Sequence, residues 1–244
     1  MTSKIQGARE RARSEIISAI KSEARRQLAA EGAARLSLRA VARELGMVSS
    51  ALYRYFPSRD DLLTALITDA YDMVGGAAEE ALAAAESVAD SHLARWQAVC
   101  RAVRAWALAH PHEYALIYGS PVPGYAAPPS TTAPASRVGL ALIAVARDAY
   151  ATGALQEPAR GWAAPEAAQR DAAQLMERLG VRLPAPVAAE LIAAWAQLFG
   201  LVSFELFGQF SNVVSARDAF FEHAATRLAD QVGLGAGSGV LRRE

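Results

Sequence analysis

The stretch RAVARELGMVSSALYRYFPSRDDLL, Arg39–Leu63, stands apart in a chain otherwise flooded with alanine. Arginines and tyrosines interleave with a regular apolar pattern, and a glycine interrupts it. The spacing is that of a helix-turn-helix. Ala42 is small where two helices must cross closely. Gly46, four residues on, supplies the turn. Leu52, six further, plugs the second helix into the core, with Val41 and Leu45 facing it. The inner face is thereby used up, so the basic and phenolic groups point outward. Ser49, Ser50, Tyr53 and Arg54 fall near the exposed part of the second helix. Ser37, Arg39, Arg43, Tyr55 and Arg59 flank it, where nucleic-acid phosphates would lie. Hydroxyl and guanidinium groups are what phosphate and base-edge contacts require.

The surrounding sequence carries this pattern in a helical frame. A first helix is expected from about Ser14, with Ile16, Ile20, Ala24 and Leu28 on one face, ended by Gly32. Ser37 caps a short helix through Leu45. A second short helix is expected over Ser49–Phe56 and closed by Pro57. Ser58, with Asp61 three residues on, opens a fourth helix through a capping box. From Leu62 onward the pattern reads as helices only: to about Ala85 with Gly75-Gly76 as a weak point or kink, then His92–Ala109, a short helix after Pro111, Ser136–Leu155, Pro165–Leu179, Pro186–Phe207 and Ala216–Val232. The fold class is all-α: a three-helix helix-turn-helix head over 1–60, a larger helical domain over 61–232, and a flexible tail at 233–244.

Composition agrees. The 244 residues are 52% hydrophobic and 20% charged, enough for a sizeable core. The net charge of zero hides a division: residues 1–59 carry 12 Lys+Arg against 5 Asp+Glu, and the remainder carries 13 against 20. A small basic module on an acidic body fits a polyanion partner, and a carrier or enzyme gains nothing from such a head. No run of 18 apolar residues is free of charge, so no membrane span is expected. A lone cysteine, Cys100, fits a reducing cytoplasm.

The quoted region, extended to LSLRAVARELGMVSSALYRYFPSRDDLL, resembles the DNA-binding region of TetR-type transcriptional regulators. The matching positions are Ser37, Val41-Ala42, Gly46 and then Leu52, Tyr53, Tyr55, Phe56, Ser58, Arg59 and Leu62. The likeness is dense over about residues 14–66. AWALAHPHEYALIYGSPVPGY resembles a C-terminal subclass marked by a Trp, a His-Pro and a Gly, here Trp106, His110-Pro111 and Gly119. One position departs: the family commonly has Ser or Thr before the recognition helix, and this chain has Val48. Valine cannot accept a hydrogen bond, which moves the expected cap to Ser49. The resemblance implies a homodimer that binds an inverted-repeat operator on double-stranded DNA, with repression as the usual mode. It also implies a small-molecule effector held in the body.

Two further expectations come from the body's own residues. The helices Val187–Phe207 and Ala216–Val232 carry more apolar surface than one buried side needs, which predicts pairing in a four-helix bundle between two copies. Aromatic residues around WALAHPHEYALIYG, in a region poor in charge, suit an apolar or aromatic effector. Trp106, His110, Tyr114, Tyr118, Trp195 and Phe199 are the candidate pocket residues, with the proline-rich segment Ser120–Ser136 as a lid. His110-x-His112-Glu113 lacks a matching ligand motif, so no metal is expected. GLGAGSGV lacks a following helix and does not make a phosphate loop. No catalytic constellation and no cofactor motif is present. The alternative reading is a helical carrier or enzyme without DNA binding.

Overall fold

The computed structural model describes residues 2–87, 91–157 and 163–235, with side chains from Gly7 onward. Among them there are ten α-helices and no strand: α1 (Thr2–Glu31), α2 (Leu38–Glu44), α3 (Ser49–Leu52), α4 (Arg59–Glu86), α5 (His92–Ala109), α6 (Pro111–Tyr118), α7 (Thr132–Ala151), α8 (Glu166–Arg178), α9 (Ala185–Leu206) and α10 (Arg217–Val232). The tail beyond Gly235 lies outside the described residues. The chain packs as two compact units, one of residues 1–71 and 110–134, the other of 72–109 and 135–244.

The first unit closes on the apolar face of α1. Ile20, Ala24 and Leu28 are buried with Leu36, Leu38, Val41, Ala42, Leu52, Phe56, Leu62, Leu63 and Leu66. α6 and the segment after it belong to this unit, and Leu116, Val122 and Tyr125 pack on the same core. The Tyr125 hydroxyl lies 2.9 Å from the Thr64 hydroxyl. The proline-rich segment, read from sequence as a lid, is therefore anchored at Val122 and Tyr125. Its C-terminal part turns into a short 3-10 helix, Pro129–Thr131, that leads directly into α7.

Gly119 follows α6 with an ordinary φ of −87°. A Cβ there would run into the Ala115 carbonyl oxygen, which already accepts the Gly119 N–H. The requirement for glycine is thus one of space, not of backbone conformation.

The second unit is held by α5, α9 and α10. Trp96 is fully buried and its indole N–H donates to the Ala225 carbonyl at 3.1 Å. Arg101 makes a two-pronged contact to Glu222 at 2.6 and 2.9 Å. Arg104 does the same to the Glu205 carboxylate, both at 2.7 Å, and lies over the Phe221 ring. The Glu205 carboxylate, with Asp218 adding to it, holds the Arg104 guanidinium even more firmly protonated than usual. α9 is long and apolar enough to cross a membrane by length and composition. In this fold its Val187, Ala188, Leu191, Ala194, Leu198 and Val202 are buried, and it packs against α8 and α10.

Helix limits differ from expectation in several places, among them α7, which runs Thr132–Ala151 and not Ser136–Leu155. α1 begins at Thr2, a dozen residues before the expected start at Ser14, and runs through largely polar sequence there. α4 is unbroken across Gly75-Gly76. There the glycine makes room: a Cβ on Gly75 would collide with the Arg137 side chain, whose guanidinium bonds both Asp72 and Glu79.

Arg104 offers a direct stability test. The Glu205 side chain is only 7% exposed, whereas that of Asp218, the second partner of Arg104, is 92% exposed. Arg104→Met leaves a buried carboxylate alone and should cost roughly 3 kcal/mol or more. The accompanying fall in Tm is on the order of 10 °C. Asp218→Ala should change stability by less than about 0.5 kcal/mol. Thermal unfolding of the two variants, followed by circular dichroism, checks the contrast.

Candidate nucleic-acid interface

α2 starts where the Ser37 hydroxyl accepts the Ala40 N–H at 3.4 Å. Leu38, Val41 and Ala42 face inward. Gly46, at φ 65°, turns the chain in a conformation that costs L-residues with a side chain, and the Met47 N–H closes the turn on the Ala42 carbonyl at 2.8 Å.

α3 follows as a single α turn. Arg54 and Tyr55 then continue in tighter bonds, with Arg54 N–H to Ala51 and Tyr55 N–H to Leu52 carbonyls at 3.3 and 2.8 Å. The expected Ser49–Phe56 helix is thus half α-helix and half tighter turn. Leu52 has no exposed surface and Phe56 is buried, so both ends of this element are pinned to the core. Val48 occupies the capping position itself and provides no side-chain bond. The cap does not move to Ser49, which is the first helical residue.

This pinning decides what faces out. Ser50, Tyr53, Arg54, Arg39 and Arg43 are exposed, and Ser37, Ser49, Tyr55 and Arg59 are half-buried. Much of the head's positive charge is already matched. Lys21 and Arg25 both bond Asp69, at 2.7 and 2.6 Å, and Arg26 bonds Glu23. Arg43 lies 3.6 Å from Glu44. Among the described residues, Arg39 and Arg54 are engaged by no carboxylate, so their charge faces solvent. Arg59 also bonds inward: it donates to the Ala33 and Ala34 carbonyls at 2.8 and 3.4 Å, tying the start of α4 to the turn after α1. Ser58 caps α4 as expected, accepting the Asp61 N–H at 3.1 Å and donating to its carboxylate. Arg13, which the sequence pattern did not single out, sits over the Tyr55 ring at 5.3 Å.

The candidate pocket residues divide between the units. Tyr114 is fully buried in the first unit, with its ring 5.1 Å from Tyr118, which stands edge-on to Tyr71 at 5.9 Å. Burial raises the ionisation of Tyr118 well above the phenolic range, with the neighbouring phenols adding to it. His110 occupies the position before α6. In the second unit Trp106 is buried, and Trp195 meets Phe199 edge-on at 5.8 Å. A crevice lined by Arg25, Leu28, Leu66, His112, Glu113 and Leu116 encloses about 10 Å³, room for a water-sized group at most. No group of three or more metal-binding side chains is found among the described residues.

A helix-turn-helix sealed by its own core, with an outward face of arginine, tyrosine and serine, is the reading head of a DNA-binding transcription regulator. The comparisons with known proteins agree. The family described as bacterial regulatory proteins, tetR family, matches residues 20–66, and the tetracyclin repressor-like C-terminal domain matches residues 96–228. The HTH-type transcriptional regulator Rv1816 of Mycobacterium tuberculosis is 41% identical over 224 residues, covering 91% of this chain and 94% of its own; Mb1846 of Mycobacterium bovis matches equally. Among solved structures, the putative regulatory protein SCO4313 has a TM-score of 0.71 at 35% identity, covering 91% of this chain and 98% of that one. The chain belongs to the TetR family. Its homologues are transcriptional regulators and not enzymes.

Proposed function

We propose that the protein is a cytoplasmic, ligand-responsive repressor that binds an inverted-repeat operator as a homodimer and leaves it when a small apolar or aromatic effector binds. The observation that carries the DNA reading is the exposed Tyr53-Arg54 pair beside Ser49 and Ser50, on an element whose inner side is sealed by Leu52 and Phe56. Arg39, Arg43, Tyr55 and the Ser37 cap flank it and take phosphates; Arg59 combines a flanking charge with its bonds to Ala33 and Ala34.

Selection from random duplexes tests this directly. A palindromic consensus is expected, with half-sites roughly 34–36 Å apart or a little more. Tyr53→Phe and Arg54→Ala should each cost roughly 1–3 kcal/mol of operator affinity. No consensus, together with an indifferent Arg54→Ala protein, would sink the reading.

The dimer reading rests on an apolar surface. Trp195, Phe204, Phe207 and Phe220 are all more than a third exposed, with Phe204 at 53%. Phe204, Phe210 and Phe220 form an edge-to-face chain with ring centroids 5.8 and 5.4 Å apart. Contiguous aromatic surface of this kind marks an interaction site. Phe199 and Phe221 are buried within their own unit and would report on folding instead. Phe204→Glu should therefore yield a folded monomer in sedimentation at micromolar concentration. A dimer that survives both this change and Phe220→Glu speaks against the surface.

The effector reading rests on the aromatic groups named above. The fold has held a small aromatic in another protein: the crystal structure of RolR is a complex with resorcinol, at a TM-score of 0.51 and 14% identity, covering 92% of this chain and 95% of that one. An active compound should change tryptophan emission and release operator DNA over the same concentration range, since one equilibrium underlies both. Tyr118→Ala should weaken that compound by roughly two- to tenfold. A compound that binds tightly without changing DNA affinity removes the allosteric part.

A further inference from the structure

The first turns of α1 carry a feature that the helix-turn-helix does not explain. Residues 7–15 are exposed on every side, yet the helix continues through them. A helical stretch without a buried face gains little stability from its own propensity, and Gly7 lowers it further. The sequence there is GARERARSE, with Arg9, Arg11 and Arg13 against Glu10 and Glu15.

Helical spacing places two of these arginines on a particular side. Arg9, Arg13, Ile16 and Ile20 stand at i, i+4, i+7 and i+11, which is one face of a helix. Ile20 has no exposed surface, and Ile16 packs against the head's core. The core-facing stripe of α1 thus changes from isoleucine to arginine where the core ends. What lies next to that change is the recognition element, since the Arg13 guanidinium sits 5.3 Å from the Tyr55 ring centroid. Arg9 is one turn further out, about 6 Å along the axis. Among the described residues no carboxylate pairs with Arg9 or Arg13, whereas Lys21 and Arg25 on the same helix both bond Asp69.

We propose that α1's N-terminal extension is a second DNA-contacting element, in which Arg9 and Arg13 hold backbone phosphates flanking the half-site read by Tyr53 and Arg54. The inference rests on the DNA-binding reading above. Their separation of about 6 Å along the helix lets each guanidinium meet a phosphate of its own. Charge of this kind adds affinity without reading sequence. The Tyr55 ring fixes the inner arginine, so less side-chain freedom is lost when it meets a phosphate.

The test uses the full-length protein and a duplex obtained by the selection experiment. Wild type, Arg9→Ala and Arg9→Ala/Arg13→Ala proteins are titrated over a range of salt concentrations. The double variant should bind on the order of tenfold more weakly at moderate salt, and its slope of log affinity against log salt should be shallower by about 2, the loss of two phosphates. Arg9→Ala, a change at a fully solvated position, should lose about half of that slope difference. The ratio of operator to random-duplex affinity should stay constant, and the hydroxyl-radical footprint should shorten at its outer edges. Wild-type protein that binds no duplex at all overturns the DNA reading and this proposal with it. Wild-type binding with variants of unchanged slope overturns the extension alone. So does a weaker double variant whose slope is unchanged, because that signals damage to the head and not lost phosphate contacts.

Discussion

A helix of four residues has no stability of its own. Nucleating one turn fixes several dihedral angles for one hydrogen bond, and α3 is only Ser49–Leu52. It exists because Leu52 is completely buried against the face that α1 and α2 provide, and because Phe56 is buried just beyond it. Everything exposed on this element inherits its position from those two side chains. On the turn between them Tyr53 and Arg54 are left facing solvent, while Tyr55 packs on the edge of the core. An external reading face thus follows from an internal packing requirement, and α1 exists largely to meet it: Ile20, Ala24 and Leu28 form the wall that Leu52 needs.

Charge is arranged on the same principle. The head's excess of positive residues is not spread evenly, because Asp69 takes up both Lys21 and Arg25, and Glu23 takes up Arg26. Lys21 and Arg25 are thereby tied to the side of α1 that meets α4. Arg39 and Arg54, which border the recognition element, keep their charge for solvent. A whole-chain net charge of zero carries no trace of this. Solvated guanidinium groups at short range, screened over about 8–10 Å at ordinary ionic strength, are what an incoming polyanion meets.

Much of this was legible in the sequence, and the gaps have physical reasons. Gly46, Ala42 and Leu52 announced the helix-turn-helix because turn and crossing geometry admit few residue types there. Ser37 and Ser58 announced two helix starts because capping chemistry is local. The extent of α1 was missed because apolar periodicity records only the buried part of a helix, and the residues before Ser14 supply no apolar stripe. The cap at α3 was misplaced: Leu52 sets the register of that turn, and packing prevailed over the missing Val48 acceptor. The candidate pocket residues were visible only as large aromatic groups. A sequence shows that such groups must be buried or paired, but not with which neighbours. Tyr114 against Tyr118 and Trp195 against Phe199 are pairings of the fold, not of the sequence.

Gly75 and Gly76 show how a local reading and a packed structure can both hold. Each glycine costs a helix about 1 kcal/mol against alanine, so this is intrinsically a soft point in α4. Arg137 spans it, bonding Asp72 on one side and Glu79 on the other, over about two turns. The glycine that weakens the helix is also what lets the Arg137 stem approach. The partners are half exposed, with side chains at 50% and 48%, so each ion pair contributes about 1 kcal/mol at most. α4 is the helix that runs from the first unit into the second, passing from Tyr71 to Asp72 just before this point. Across this stretch Arg137 ties the turn before the glycines to the turn after them.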